Sequence, residues 1–300
     1  MEKHLSNRTN NLFDLEDKII LYDLTNTYFE SEKRNSRLAK FGRSKEKRKD
    51  AKLVVLALAV NIEGFIKYSS VLEGNIADNK TLPAMIEKLS KHTCSTNAVV
   101  VLDAGIATED NLKLIAEKGY KYLCISRSKL KDYQAVPDRL TVLLDTKSNK
   151  TIRLKSVTTE KNTDYYLEVK SPEKAMKEAV MKNQFEKRFE EELQKIHKAI
   201  HNKGGVKILD KVHQRIGRAK EKYPSAQPYY NIEVTADEKT NLATEITWEK
   251  DHGKHDDKVE GLGIYFLRTN MNVKDEVVVW NIYNTIRGNR KCVQNPENRS

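Results

Sequence analysis

The fold of this chain is constrained most strongly by five short apolar segments in the first half of its sequence. KIILYDL (18–24) and LVVLALAV (53–60) are apolar at consecutive positions, which is typical of strands buried on both faces. FIKYSSV (65–71) follows a turn at NIEG and is the expected hairpin partner of the second segment. NAVVVLDAG (97–105) and YKYLCIS (120–126) complete the series. The sequence therefore predicts five strands, of which the first three form a meander.

Two helices are predicted to connect the last three of these strands. Residues 79–91 carry apolar side chains at helical spacing, with Pro83 in the first turn, where proline is tolerated. A second helix is expected to begin at Thr108, a suitable cap, and to end at Gly119. Three antiparallel strands followed by helix, strand, helix and strand form a mixed α/β sheet. Because an acidic residue lies in the first strand and another ends the fourth, this order predicts a ribonuclease-H-like fold.

The sequence pattern divides the chain into five parts. Residues 18–128 are predicted to form the first part of the ribonuclease-H-like domain, and residues 1–17 are interpreted as an N-terminal remnant. Residues 129–260 are predicted to form a large mixed α+β insertion, because residues 138–170 alternate like antiparallel strands, 173–221 are charged and helical, and 229–235 and 242–249 resemble a further pair of strands. Residues 261–287 supply a last strand and the start of a final helix. That helix is expected to stop before Gly288, because residues 288–300 carry almost nothing apolar.

Two acidic residues occupy positions where a carboxylate is costly. Asp23 lies within the first apolar strand and Asp103 at the end of the fourth, and a buried carboxylate needs a hydrogen bond, an ion pair or a cation. If the strands are neighbours, both side chains reach one edge of the sheet and can bind Mg²⁺ or Mn²⁺ for phosphoryl transfer. The alternative is that Asp23 ends its strand and caps the LTNT turn, while Asp103 begins a DAG turn. The presence of both, in this strand order and beside a basic loop, favours the metal site.

The net charge of +11 indicates a polyanionic partner. Residues 37–52 contain eight Lys or Arg in sixteen positions, and a flexible loop there is expected to contact a DNA backbone with an affinity that falls steeply with salt. The alternative is a lysine-rich surface that serves solubility. The segment after the fifth strand is also basic, although an ordinary charged loop is an equal interpretation there. The predicted DNA contacts are Arg43, Lys45, Lys47, Arg48, Arg127 and Lys129.

Some classes of protein are not indicated by the sequence. No run of about 18 apolar residues is present, and the first ten residues lack the apolar part of a signal peptide. A membrane partner is therefore not expected, and the predicted location is the cytoplasm, in association with the nucleoid. The three cysteines (Cys94, Cys124 and Cys292) have neither CxxC spacing nor histidine neighbours, so they indicate no disulfide framework and no zinc site.

Several segments resemble the DDE transposases of bacterial insertion sequences, and in particular the IS-four-type branch. They are YDLTNTYFE (22–30), EGNIADNKTL (73–82), VVVLDAGIATEDNL (99–112), YKYLCISRSKL (120–130), GIYFLRTN (263–270) and WNIYNTIR (280–287). The resemblance covers residues 18–287 and implies catalytic, metal-binding roles for Asp23 and Asp103. It also matches Tyr283 to the tyrosine of the Tyr-x2-Arg-x3-Glu-x6-Lys signature, on a final helix that includes Arg287.

The final helix departs from that signature. Ile286 stands where the family often has arginine, Arg290 stands seven positions after Tyr283, where the family has its catalytic glutamate, and Glu297 is out of register. Codons for residues 288–300, read one base out of frame, can spell EIESVFRTLKTDL, an amphipathic segment with glutamate and lysine at the signature positions. We interpret the tail as the product of a one-base frameshift; the alternative is a natural variant C terminus.

The resemblance implies a DNA transposase that cleaves and rejoins DNA at the terminal inverted repeats of a mobile element, with Mg²⁺ or Mn²⁺ as cofactor. A homodimer is one possible assembly. Because the third carboxylate is missing, this chain is expected to bind DNA with little or no strand transfer. Two alternatives stay open. One is a non-catalytic DNA-binding regulator or remnant that competes with a full-length transposase, and the other is a ribonuclease-H-like nuclease that cuts branched DNA.

Overall fold

The computed structural model describes residues 2–30, 33–43, 50–92, 97–127, 130, 132–146, 149–160, 162–237, 239–254 and 260–294. In these residues the strands are β1 (Ile19–Tyr28), β2 (Leu53–Asn61), β3 (Ile66–Glu73), β4 (Val99–Leu102), β5 (Lys121–Ile125), β6 (Gln134–Ala135), β7 (Val142–Asp145), β8 (Thr151–Thr159), β9 (Asn162–Lys170), β10 (Tyr230–Asp237), β11 (Leu242–Lys250) and β12 (Ile264–Thr269). The main helices are α1 (Glu2–Phe13), α2 (Leu82–His92), α3 (Glu109–Glu117), α4 (Pro172–His201), α5 (Leu209–Lys222) and α6 (Glu276–Gln294). Among the described residues, none of the helices combines the length and apolar character needed to cross a bilayer.

A large mixed sheet positions most of the predicted site. Within the described part of the chain it contains ten strands in the order β3-β2-β1-β4-β5-β12-β9-β8-β6, with β7 paired to β8. β1 and β2 are antiparallel, as are β2 and β3, whereas β4 runs parallel to both β1 and β5. β12 returns antiparallel to β5. The predicted mixed α/β sheet is therefore confirmed, with the three-strand meander beside a parallel centre.

The first strand is longer than its apolar pattern predicts. β1 continues through the segment LTNT to Tyr28, and its residues stay paired with β2 along this extension. Asp23 lies opposite Leu58, in the middle of the strand. The alternative in which Asp23 ends the strand and caps a turn is therefore wrong. The β-branched residues Thr25 and Thr27 fit the pleated surface of a strand, which explains why so polar a segment stays extended.

Helices α2 and α3 cover one face of the parallel centre. Alternate residues of β1 and β4, including Ile20, Tyr22 and Leu102, point to this face because successive side chains of a strand point to opposite sides. They pack against the apolar stripes of the two helices, which comprise Leu82, Met85, Ile86, Leu89, Leu112 and Ile115. Asp23 follows Tyr22 in β1, so its side chain belongs to the other face.

The boundaries of α3 agree with the sequence signals. The Thr108 hydroxyl accepts a hydrogen bond from the Asn111 N–H at 3.3 Å, as expected of an N-cap residue. After the helix, Gly119 has a φ of 82°, a left-handed conformation that glycine adopts without a steric penalty. These two residues fix both ends of a helix that follows directly on the turn at the end of β4.

The segment interpreted as an N-terminal remnant contains α1, which is tied to the meander by a buried ion pair. The Lys67 ammonium of β3 lies 2.8 Å from Asp17, and both side chains are almost fully buried. Lys67 also donates hydrogen bonds to Asn10, at 2.6 Å, and to Ser6, at 3.2 Å, on α1. Asn10 in turn donates to the second Asp17 oxygen. A buried charge is tolerated because every partner here is polar or oppositely charged.

A second compact unit comprises residues 145–152 and 170–264. It contains α4, α5 and the antiparallel hairpin β10–β11. Phe189, Leu193, Ile196 and Ile200 recur at spacings of three and four along α4 and are buried, so one stripe of this charged helix forms the core of the unit. The other residues of that core are Val212, Ile216, Ala219, Tyr223, Ala226, Tyr229, Tyr230, Ala243 and Ile246.

The two compact units divide the chain differently from the sequence pattern. The larger unit comprises residues 1–144, 153–169 and 265–300, so most of β8 and all but the last residue of β9 belong to it. The sequence analysis placed both strands in the insertion 129–260. An alternating pattern identifies a strand but not the sheet that the strand joins, so this difference could not be read from the residues.

The last helix extends further than predicted. α6 includes Gly288, where the helix was expected to stop, and ends at Gln294. A glycine inside a helix costs about 1 kcal/mol relative to alanine, and one such residue is not enough to end a helix that began with a strong apolar stripe. The rest of the predicted tail, 295–300, lies outside the described residues.

Candidate active site

Asp23 and Asp103 lie at the same level on neighbouring parallel strands. In the pairing of β1 with β4, Leu21 is opposite Val101. Continuing this register by two residues places Asp23 opposite Asp103. Because paired strands are about 4.8 Å apart, this register sets the backbones of the two residues side by side. The predicted metal site required that the strands of Asp23 and Asp103 be neighbours, and β1 and β4 are neighbours in the sheet.

A tight turn holds Asp103 directly after β4. The carbonyl oxygen of Asp103 accepts hydrogen bonds from the N–H groups of Ile106, at 3.0 Å, and Ala107, at 3.1 Å. Asp103 therefore begins a turn, as the alternative interpretation predicted. The hydrogen bonds of this turn are accepted by its backbone carbonyl oxygen and not by its carboxylate. Its side chain, like that of Asp23, is half-buried, and both residues interact with other groups of the chain. The turn thus fixes Asp103 at the carboxyl end of the strand.

Helix α6 runs back along β12 toward the edge of the sheet that holds the two aspartates. β12 is antiparallel to β5, so it ends at the opposite edge, where α6 begins. The ring of Tyr283 then lies 6.2 Å from that of Tyr265, near the start of β12. Tyr283 is buried, which places the predicted third-motif tyrosine against the sheet. Position 290 follows about 10 Å further along the helix axis. The side chain of Arg287, the other predicted residue of this helix, is not among those that the structure describes.

The start of α6 is anchored by Glu276. Its carboxylate accepts hydrogen bonds from Arg139, at 2.9 Å, and from the hydroxyl of Ser156. Arg139 also donates to the carbonyl oxygen of Val273, in the loop before the helix. Burial favours a higher pKa for Glu276, but the hydrogen bonds from Ser156 and Arg139 outweigh it, so the pKa of this carboxyl lies below its usual range. The anchor fixes where α6 begins, and so where its later residues lie.

Glu276→Gln is expected to lower the free energy of unfolding at pH 7 by about 1–3 kcal/mol, because it removes a charge-assisted hydrogen bond of a buried group. A carboxyl with a lowered folded-state pKa stabilises the protein above its unfolded pKa and loses that effect as the pH falls through the folded pKa. The difference between the parent chain and Glu276→Gln should therefore shrink at acidic pH. Urea unfolding at pH 7 and pH 4 measures it. Glu87→Gln, in an exposed pair with Lys91, is the control, and a pH-independent difference would contradict the assignment.

Arg268 links three elements beside the Asp103 turn. From β12, its Nε donates to Asp164 of β9 at 2.5 Å, and its two terminal nitrogens donate to both carboxylate oxygens of Glu109, in the first turn of α3. Burial opposes its charge, but the hydrogen bonds that it donates to Glu109 and Asp164 raise the pKa of the guanidinium above its ordinary value. The sequence analysis missed this residue, although an arginine inside the apolar strand IYFLRT signals a buried partner.

An open cavity of about 220 Å³ lies next to Arg268. Its walls come from the start of α3, the end of β5 and Tyr166, and Arg127 contributes a basic side chain. Cys124 also lines it, but burial raises the pKa of this thiol to about 12, so it is not a nucleophile at neutral pH. The cavity therefore presents a cationic group at the end of the sheet where β4 and β5 finish.

Of the predicted DNA contacts, the structure describes Arg43 and Arg127, and both are exposed. The carbonyl oxygen of Arg43 accepts a hydrogen bond from the side chain of Asn26, on β1, at 2.9 Å. Lys40 and Leu53 exchange two backbone hydrogen bonds. The described start of the basic loop is therefore hydrogen-bonded to β1 and β2. The remaining predicted contacts lie outside the described residues and are Lys45, Lys47, Arg48 and Lys129.

Comparison with known proteins identifies the family of this chain. A family model described as a transposase DDE domain matches residues 14–284, which include both aspartates and Tyr283. The chain belongs to the DDE transposase family. No curated protein matches this transposase-family chain. Among solved structures, it is similar at 10% identity and a TM-score of 0.29 to a chain of the piggyBac transposase synaptic complex with hairpin DNA, covering 50% of the present chain and 32% of that one.

Proposed function

We propose that this chain is a DDE transposase of the IS-four type, with a ribonuclease-H-like core, built for phosphoryl transfer at the DNA ends of a mobile element. The observation that carries the proposal is the parallel pairing of β1 with β4, in which Leu21 is opposite Val101, because continuing this register by two residues sets Asp23 beside Asp103. Membership of the DDE family supports it. The strand order β3-β2-β1-β4-β5, with helices between the last strands, supports the ribonuclease-H-like assignment.

The two aspartates fit a hard divalent cation. Their donors are carboxylate oxygens at a partly exposed sheet edge, which suits Mg²⁺ or Mn²⁺ because these ions take oxygen ligands and keep several waters. When bound in such sites, divalent ions stabilise the attacking and leaving oxygens of a phosphoryl displacement. The chain's own part is to hold the two carboxylates in register, Asp23 by its pairing with Leu58 of β2 and Asp103 by its turn.

The basic groups near this edge support DNA as the substrate. Arg127 lies at the carboxyl end of β5, the strand next to β4, and Arg43 is held beside β1. Exposed guanidinium groups bind phosphate oxygens, and the net charge of +11 adds a long-range attraction. We further propose that the chain recognises the sequence of the terminal inverted repeats and that two copies of the chain form a dimer.

Loss of catalysis in this chain is also part of the proposal. Position 290 lies within α6, and the residue there is arginine where the signature of the family has its catalytic glutamate. An arginine cannot bind a cation, and its charge opposes a second one, so a loss of several orders of magnitude is expected for a two-metal reaction. A frameshift near codon 288 accounts for this residue, because the displaced frame can encode glutamate at the same position.

The proposed metal site is tested by Mn²⁺ binding. Asp23→Asn and Asp103→Asn are each expected to weaken Mn²⁺ binding by at least about 10-fold, since each removes a carboxylate ligand. Water proton relaxation measures bound Mn²⁺ directly, without any requirement for DNA cleavage. Asp110→Asn, at an exposed acidic residue in the first turn of α3, is the matched control and should leave the affinity unchanged. Equal affinity in all four chains would exclude a metal site at the two aspartates.

A second candidate is a DNA-binding competitor of an intact transposase, favoured by Arg290 in place of glutamate. In that role the chain needs its basic surface but not its carboxylates. This candidate predicts DNA binding that weakens as salt is added and that is unchanged in Asp23→Ala. The same result is expected of a transposase that has lost catalysis. Equal affinity for transposon ends and unrelated DNA would count against a regulatory role.

A further inference from the structure

Two histidines and a glutamate converge in the second compact unit, outside the predicted catalytic residues. His197 and His201 are one turn apart on α4, with ring centroids separated by 4.6 Å. Glu245, on β11, faces them, and one of its oxygens lies 2.9 Å from Nε2 of His197 and 3.5 Å from Nε2 of His201. One ligand atom from each residue lies within 4.8 Å of the others. This spacing is small enough for all three atoms to contact one ion.

The three side chains are held by a packed scaffold. Ile200 and Ile246, the sequence neighbours of His201 and Glu245, are buried in the core of the unit. The N–H of Ile246 donates to the Glu245 carboxylate at 3.1 Å, which fixes its orientation. The register of β10 and β11 shifts directly opposite Glu245, between Thr235 and Ala236, and such irregularities re-aim side chains. The side chains themselves are 40–46% exposed, so an ion can reach them.

We propose that His197, His201 and Glu245 bind one divalent transition-metal ion, with zinc the expected metal. Two imidazoles and one carboxylate are a donor set that Zn²⁺ takes in four-coordinate sites with water in the fourth position. Mg²⁺ and Mn²⁺ prefer all-oxygen donors, so this site differs in metal preference from the pair of aspartates. Bound metal would join α4 to β11 within the second unit.

The experiment is a titration of the EDTA-treated full chain with Zn²⁺ by calorimetry, in an excess of Mg²⁺ that occupies oxygen-only sites. One Zn²⁺ per chain is expected. His201→Gln and Glu245→Gln should each weaken binding at least about 10-fold, because each removes one of three ligands. Both residues are partly exposed, so neither change should disturb folding, and circular dichroism verifies this. His213→Gln, at an exposed histidine on α5, should bind Zn²⁺ as the parent chain does.

A parallel titration with Co²⁺ identifies the ligands. The parent chain is expected to give the visible absorption of tetrahedral Co²⁺, and His201→Gln should lose it. A thiolate charge-transfer band would assign the metal to a cysteine and overturn the proposal. Unchanged Zn²⁺ affinity in both His201→Gln and Glu245→Gln would also overturn it, as would an equal loss in His213→Gln, which would indicate adventitious binding to surface histidines.

Discussion

Arg290→Glu is expected to raise Mg²⁺-dependent cleavage of transposon-end DNA by about three orders of magnitude, because it restores the third carboxylate that a two-metal phosphoryl transfer requires. The helix that carries position 290 is already formed, since α6 continues to Gln294. The change therefore alters a charge within an existing helix. Cleavage is measured on a labelled duplex that carries the DNA flanking the gene, in Mg²⁺ and with the parent chain alongside.

Two variants show whether any gain belongs to the predicted site. Lys291→Glu adds the same charge one residue later, which is rotated by about 100° around the helix, and should give no gain. Asp103→Asn combined with Arg290→Glu should return the activity to the level of the parent chain. Replacing residues 288–300 by EIESVFRTLKTDL restores the remainder of the signature and should be at least as active as Arg290→Glu. If both restored chains fold and bind DNA but cleave no faster than the parent chain, the assignment of position 290 is wrong.

Lys67→Met is expected to lower the free energy of unfolding of the larger unit by about 3–5 kcal/mol, because it leaves the buried carboxylate of Asp17 without its counter-charge. It also removes the hydrogen bonds that tie α1 to β3. The chain has two tryptophans, of which Trp280 lies in the larger unit and Trp248 in the second. Urea unfolding followed by fluorescence in a Trp248→Phe background therefore reports on the larger unit alone.

A double variant separates the loss of charge from the loss of packing. Adding Asp17→Asn to Lys67→Met removes the buried charge and keeps an acceptor for the amides of Asn10 and Asn61, so most of the stability should return. Lys18→Met, at an exposed lysine paired with Glu16, is the control and should cause no measurable change. If Lys67→Met alone is as stable as the parent chain, the ion pair does not stabilise the attachment of α1.

The parallel centre of the fold could be predicted because each of its strands contains a continuous apolar run and because amphipathic helices with recognisable ends precede β4 and β5. The same signals placed Asp23 in a strand and Asp103 at the end of another. The extension of β1 through LTNT could not be predicted, since its polar residues are held by pairing with β2 and not by burial. Likewise, the sheet that β8 and β9 join depends on contacts between distant segments.

The sequence did not predict sites whose residues come from elements that are distant in the chain. His197 and His201 are visible in the sequence as a pair at helical spacing, but Glu245 reaches them only because β11 packs on α4. The continuation of α6 through Gly288 shows the limit of a local rule, because one helix-breaking residue is overridden when the preceding turns are anchored by Glu276 and packed through Tyr283.

The register between β1 and β4 also bears on how such chains can change in length during evolution. Asp23 and Asp103 are level only because Leu21 pairs with Val101, and a shift of one residue in either strand would turn one carboxylate to the other face of the sheet. An insertion or deletion within these strands would therefore separate the two carboxylates, whereas the loops between β1 and β4 can gain or lose residues without moving the pair. Related sequences are best aligned by the strand that carries each aspartate, since the loops between the two can differ in length.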